Sequence, residues 1–305
     1  MDIEKIYCAK LMLAGEYGVI SGGEAITVPL DLYSAKLAER IEGEDEDTIN
    51  ASVSSLRKLL SYIQSLPKNS FFAYPQVREM NDLLKKGFYI KSSIPMGYGI
   101  GSSGTVCALI YDQFFSGTKN LSLQQQRKDL ATMESLFHGK SSGVDAMTSF
   151  TGNALHFLGD GAIRPVERDP LKPMGKYRFF LLDSETVFDT GPLVKTFLNK
   201  MEDHSFKKAI KEDYLPMISK FIESLTGERN VDPGLLFRAI SDFQCNNFRE
   251  MIPQKMEDAW IDGQVSNTYY LKLNGSGGGF MLGIAAEESM ELCENMLDEY
   301  KIIWL

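Results

Sequence analysis

The chain has 305 residues, 44% hydrophobic and 24% charged, which is ordinary globular composition and enough length for two cores of usual domain size. Lys and Arg number 32 against 41 Asp and Glu, for a net charge of −9. That balance excludes a general electrostatic attraction to nucleic acid or to an anionic membrane, so an anionic ligand has to be held by a local site.

The four cysteines, Cys8, Cys107, Cys245 and Cys293, lie far apart with no CxxC pair, and fit reduced thiols of a cytoplasmic protein. The N-terminus, MDIEKIYCAK, lacks the basic region and apolar core of a signal peptide, and no apolar stretch approaches about 18 residues. His138, His156 and His204 show no HExxH-like spacing, which argues against a histidine-rich metal centre.

From Lys10 to Leu37 two apolar, alternating runs flank Ser21-Gly22-Gly23 and predict two strands around a turn. Glu42-Gly43-Glu44-Asp45-Glu46-Asp47 has no apolar anchor and reads as a solvated loop. Leu56, Leu59, Leu60 and Ile63 recur at helical spacing, Phe88–Ile90 reads as a strand, and Thr105–Phe115 and Leu123–Phe137 read as helices. Ala154–Leu158 and Tyr177–Leu182 are short apolar strands separated by a polar, Pro- and Gly-rich segment, which predicts a domain boundary near Val166 to Lys176. Helices are expected at Pro192–Met201, Phe206–Leu225 and Pro233–Phe248. Strands at Tyr269–Leu273 and Phe280–Ala285, a helix at Glu287–Tyr300 and a strand at Lys301–Leu305 complete an α+β sandwich.

Three segments carry chemistry. In the first, Pro95, Gly97, Gly99, Gly101, Ser102, Ser103 and Gly104 lead straight into the apolar run TVCALIYDQFF. A glycine-rich loop opening a helix presents backbone N–H groups and the positive helix end to a phosphate. No Gly-Lys-Ser/Thr follows, so it is not a P-loop, and no βαβ unit with a later ribose-binding acid is evident.

The second segment runs from Glu134 through His138, Gly139, Lys140, Ser141, Ser142 and Gly143 to Asp145. It places one carboxylate near the end of an amphipathic helix and another beyond a small-residue turn. Phosphoryl transfer needs a cation on the terminal phosphates, and Mg²⁺ accepts carboxylate, hydroxyl and water oxygens, so Glu134 and Ser103 are candidate ligands. Asp145 is a candidate acceptor for the proton of the attacking hydroxyl. The third segment, Lys272-Leu273-Asn274-Gly275-Ser276-Gly277-Gly278-Gly279, is a glycine run between two strands, which by itself reads equally as a bulged hairpin or as something more.

In this order the segments resemble the GHMP-type small-molecule kinase superfamily, which includes galactokinase, homoserine kinase, mevalonate kinase and phosphomevalonate kinase. Cys8–Ile20 is similar to the family's PGKxxLxGEHxVxxG, Pro95–Gly104 to PxGxGLGSSAA, His138–Asp145 to HGxPSGxD with a glutamate upstream, and Lys272–Gly279 to KLTGAGGGG. The resemblance implies an N-terminal ATP-binding domain like ribosomal protein S5 domain 2, expected over 1–168, and a ferredoxin-like C-terminal domain over 169–305. It implies ATP and Mg²⁺ as cofactors and Asp145 and Lys10 as the catalytic pair, with Lys10 beside Asp145 stabilising charge on the transferred group. It also implies Ser103 and Glu134 on the metal, and Pro95 to Gly104 with Gly275, Gly277 and Gly278 on the nucleotide. Glu16, Tyr17, His138, Lys140, Ser142 and Thr190 would lie around a small-molecule substrate, mevalonate or a close relative such as phosphomevalonate, in a chain compatible with a homodimer. Four departures stand out: Cys8-Ala9 for Pro-Gly, Tyr17 for a histidine, Lys140-Ser141 for Asn-Pro, and Ser276 for an alanine.

Overall fold

The computed structural model describes residues 2–43, 45–172 and 176–305, and at His138 the backbone alone. The strands are β1 (Tyr7–Ala14), β2 (Ala25–Glu39), β3 (Tyr74–Pro75), β4 (Phe88–Ser92), β5 (Phe115–Ser116), β6 (Leu155–Phe157), β7 (Ile163–Pro165), β8 (Tyr177–Asp183), β9 (Tyr269–Leu273), β10 (Phe280–Ala286) and β11 (Ile302–Trp304). The helices are α1 (Glu46–Ser65), α2 (Val77–Lys85), α3 (Ser102–Phe114), α4 (Leu123–His138), α5 (Val144–Thr151), α6 (Thr190–Lys200), α7 (His204–Ala209), α8 (Leu215–Thr226), α9 (Pro233–Asn247), α10 (Glu257–Ser266) and α11 (Met290–Met296). The fold is α+β, as the sequence predicts.

Contacts divide the chain into two compact units that interleave in sequence. Unit 1 holds Met1–Lys10, Pro29–Pro95 and Gly101–Asn153, and unit 2 holds Leu11–Val28, Met96–Ile100 and Ala154–Leu305. The boundary expected between Val166 and Lys176 includes residues 173–175, which lie outside the described residues.

In unit 1, β4 pairs antiparallel with Ala35–Glu39 of β2, Ile90 facing Leu37. Helix α1 packs on β4 and α4, and its Leu56, Leu59, Leu60 and Ile63 are buried. The acidic run does not stay a loop to its end. Asp45 caps α1 by accepting from Thr48 N–H at 3.2 Å, and Glu46 and Asp47 occupy the first turn, where carboxylates oppose the positive helix end. Helix α4 starts with a capping box, Ser122 accepting from Gln125 N–H while the Gln125 side chain accepts from Ser122 N–H. Its fully buried Asp129 accepts from Phe72 N–H at 2.8 Å, Ala73 N–H at 2.9 Å and the Tyr111 hydroxyl at 2.7 Å. One carboxylate thus pins the 71–75 segment and α3 to α4.

In unit 2, an antiparallel sheet of order β11-β8-β10-β9 sets Leu181 opposite Leu282 and Ile284 opposite Tyr270. Helices α9 and α10 cover β9, and α8 packs on α9. Asp232 caps α9 and Pro233 occupies its first position, where the missing N–H costs nothing. The expected Phe206–Leu225 helix is α7 and α8 joined by a π turn at Ile210–Tyr214. Among the described residues no helix is long and apolar enough to cross a membrane.

Candidate active site

Four of the residues singled out from sequence meet in unit 1. Lys10 sits at the unit 1 end of β1, and its ammonium lies 2.8 Å from Asp145 Oδ1. Its side chain is 1% exposed against 30% for Asp145, so the cation is enclosed and the carboxylate keeps a solvent-facing side. Asp145 stands in the first turn of α5, whose cap, Gly143, has φ 70°, a left-handed value that glycine adopts without strain.

Helix α3 begins beside this pair. A Cβ at Gly101 would lie 3.4 Å from both Asp145 Cβ and Lys10 Cδ, and one at Gly104 would lie 2.8 Å from Ala146 N and 2.9 Å from Asp145 Cβ. Small residues are therefore required here for helix packing. The Thr105 hydroxyl donates to Gly101 C=O at 2.9 Å and lies 3.0 Å from Ser149 Oγ, which ties the start of α3 to the helix carrying Asp145. Sequence reasoning missed this threonine, since it lies just outside the glycine pattern.

Glu134, on α4, is buried beside them. Its Oε1 accepts from Ser103 Oγ at 3.3 Å, and its Oε2 accepts from the Ser141 hydroxyl. Burial, and next the nearby Asp145 charge, push its carboxyl up to about 7, against the lowering effect of Ser141, Lys10 and Ser103. Two neighbouring carboxylates, Glu134 desolvated and bonded to the Ser103 and Ser141 hydroxyls, form an oxygen-only donor set that a divalent cation would relieve. Among the described residues no cluster of three or more His, Cys, Asp or Glu side chains forms, so any such cation would take its remaining ligands from phosphate and water, as Mg²⁺ does.

Around this centre, Ser142 C=O accepts from Arg127 Nε at 2.8 Å and Ser142 Oγ from Val144 N–H at 3.4 Å, while Lys140 is exposed. His138 ends α4. Ser102 opens α3, and Pro95 closes the preceding unit 1 segment.

The other predicted residues lie in unit 2. Met96–Ile100 packs against the 274–279 run so closely that a Cβ at Gly99 would lie 2.4 Å from Asn274 O, and one at Gly275 would lie 3.0 Å from Gly99 Cα. Gly277 and Gly278 likewise face the backbone of Met251 and of Thr186 and Phe188. Close chain-to-chain packing accounts for glycine at these positions, including Gly97 against Val187.

Tyr17 has φ 59°, unusual for a bulky side chain, and its buried ring packs on Phe197 and Phe248 at 4.8 and 5.2 Å. Its hydroxyl donates to Ser276 C=O at 2.5 Å, and burial holds the phenol well above its ordinary pKa, so it stays a donor. Ser276 Oγ in turn donates to Thr190 Oγ1 at 3.1 Å. Thr190 is the first residue of α6, and Asp189 occupies the cap position. Glu16 is not offered to a ligand: its carboxylate pairs with Lys272 Nζ where both side chains are 0% exposed, and its carbonyl accepts from Tyr214 OH at 3.0 Å. Lys272, read from sequence only as the start of the third glycine segment, is the partner that sequence reasoning missed.

Residues 71–153 match the family model of the GHMP kinases N terminal domain. Mevalonate kinase of Thermococcus onnurineus is 29% identical over 175 residues, 49% of this chain and 49% of that protein. The matched stretch thus spans about half the length of such curated relatives. Among solved structures, L. major mevalonate kinase in complex with R-mevalonate superposes with a TM-score of 0.63 at 16% identity, covering 96% of this chain and 90% of that one. Streptococcus pneumoniae phosphomevalonate kinase in complex with phosphomevalonate and AMPPNP gives 0.60 at 14% identity, covering 99% of each. At these identities the superpositions speak for the fold.

Proposed function

We propose that this chain, a member of the GHMP kinase family by its N-terminal domain and its fold, transfers the γ-phosphate of ATP to the primary hydroxyl of mevalonate, a step of isoprenoid precursor synthesis. The observation that carries the reading is the enclosed Lys10 ammonium 2.8 Å from a half-exposed Asp145, with Glu134 and Ser103 alongside.

Phosphoryl transfer asks little covalent chemistry of a protein and much positioning. Asp145 accepts the proton of the substrate hydroxyl through its open side, while Lys10 fixes the carboxylate from behind and offsets negative charge gathering on the transferred group. The glycine-bordered start of α3 receives phosphate oxygens on backbone N–H groups. Ser103 and Glu134 would hold Mg²⁺, which would supply charge neutralisation on the terminal phosphates. The resemblance further assigns Gly275, Gly277 and Gly278 to the nucleotide and Tyr17 and Thr190 to the substrate, and Ser276 ties these last two together, accepting from the Tyr17 hydroxyl at its carbonyl and donating to Thr190 Oγ1.

Phosphomevalonate is the second reading, favoured by the exposed Lys140, a cation able to meet an additional phosphate, and by the Gly15-Glu16-Tyr17-Gly18-Val19 segment. Steady-state ATP turnover against mevalonate, phosphomevalonate, homoserine and galactose under identical conditions tests both. The expected result is a kcat/KM for mevalonate at least about tenfold above phosphomevalonate, roughly 1.4 kcal/mol in transition-state binding. The reverse order overturns the substrate and leaves the kinase standing, and no turnover of any of them overturns the kinase.

A further inference from the structure

The turn between α4 and α5 departs from the family pattern at Ser141, and the structure gives that serine two partners. Its hydroxyl donates to Glu134 Oε2 and accepts from Gly143 N–H at 3.0 Å. Glu134 reaches the site through a side chain with three rotatable bonds, whose freedom has to be removed if the carboxylate is to hold one orientation. Two hydroxyls remove that freedom from opposite ends of the carboxylate. Ser103, in the first turn of α3, holds Oε1, and Ser141, seven residues after the glutamate, holds Oε2.

The same oxygen of Ser141 is bound to the cap residue of α5, so the Glu134 carboxylate is tied through one atom to the start of the helix that carries Asp145. Arg127 braces the turn independently through Ser142 C=O at 2.8 Å. The backbone of the turn therefore has a second support, and the Ser141 hydroxyl is left with the task of orienting the carboxylate.

We propose that Ser141 is a positioning residue for the divalent cation of the kinase: by clamping Glu134 Oε2 it aims Oε1, beside Ser103, at the metal. This rests on the reading that Glu134 and Ser103 hold Mg²⁺. It assigns a role to a side chain that takes no part in the transfer and that stands where the family pattern has a proline with no hydroxyl to offer.

The test is Mn²⁺ binding to the full-length protein in the presence of ADP, followed by the electron paramagnetic resonance of free Mn²⁺, for wild type, Ser141→Ala and Ser141→Thr. ADP binding in EDTA and thermal unfolding are measured on the same samples. Ser141→Ala is expected to raise the Mn²⁺ dissociation constant about five- to tenfold with ADP affinity in EDTA unchanged, and Ser141→Thr, which keeps the hydroxyl, to stay within about twofold of wild type. A purely structural serine predicts the opposite split, with a lower unfolding temperature in Ser141→Ala and Mn²⁺ affinity within about twofold of wild type, and that result overturns the proposal. So does a Ser141→Thr as weak as Ser141→Ala. If wild type itself binds no Mn²⁺ with ADP, the metal reading falls and this inference with it.

Discussion

Lys10 Nζ lies 2.8 Å from Asp145 Oδ1, a fully enclosed cation against a carboxylate with one open side. The asymmetry sets what each partner can do. Lys10 cannot reach solvent and is held for its charge, whereas Asp145 can still receive a ligand hydroxyl.

Asp145→Asn keeps the shape of the side chain but removes its charge and its capacity to take a proton. Turnover is expected to fall at least about 100-fold with nucleotide affinity retained within a few fold, since general base catalysis is worth about 10²–10⁴. Single-turnover kinetics alongside equilibrium ADP binding separate the two. A folded variant with unchanged turnover would falsify the assignment.

Glu134 makes the stability of the metal-free protein depend on pH. Its folded-state value of about 7 stands above the ordinary 4.5, so between these limits the folded protein holds a proton that the unfolded chain has released. Stability contributed by this group is therefore full below about 4.5 and is lost as pH rises through about 7. Thermal unfolding in EDTA should show this decline, and Glu134→Gln should flatten it. In the same window Mg²⁺ competes with the proton, so half-saturating Mg²⁺ should fall as pH rises. A slope unaltered by Glu134→Gln would assign the decline to other groups.

A Cβ at Gly104 would lie 2.8 Å from Ala146 N, a contact that cannot form without a shift of α3 against α5. Gly104→Ala is expected to cost about 1–3 kcal/mol by overpacking and, because α5 carries Asp145, to lower kcat more than it raises KM for ATP. Urea unfolding and steady-state kinetics on one preparation check both. An alanine tolerated at full kcat would mean that α5 can move without moving Asp145.

What the sequence makes legible here is local. The strand expected just before a glycine run, Tyr269–Leu273, is found at those bounds, and the leucine spacing marks the buried face of α1. Helix α5 escapes notice because it has eight residues and starts from a left-handed glycine instead of a polar cap. The acidic run misleads because like charges suggest a loop, while Asp45 is in fact a cap and the acids after it suit a helix start. Interleaving of the units is also hidden. Composition shifts only near 166–176, yet Leu11–Val28 and Met96–Ile100 cluster with the C-terminal half. The acid pair and its lysine are reached by motif resemblance, not by periodicity, and the hydroxyls of Ser141 and Thr105 that brace them have no local signature.

The buried pair of Lys272 and Glu16 is the furthest from any local pattern, its members lying 256 positions apart with both side chains 0% exposed. Lys272 also donates to Leu273 C=O at 2.6 Å and Met12 C=O at 3.3 Å, so the ammonium is saturated with acceptors. Glu16 precedes Tyr17 at its left-handed φ, and Tyr214 links the Glu16 carbonyl to the Gln244 side chain, whose amide Oε1 accepts from Leu273 N–H at 2.8 Å. Truncating one partner strands the other charge away from water. Lys272→Met is therefore expected to cost about 3–5 kcal/mol, far more than an exposed pair would. Glu16→Gln in the same chain should recover part of that loss, because no uncompensated charge remains. A double-mutant cycle in denaturant measures the coupling, and near-additive effects would show that the two side chains stabilise the protein independently. Since Tyr17 follows Glu16 directly, the single variant should also raise KM for the phosphoryl acceptor, with the double variant moving back toward wild type in step with its stability.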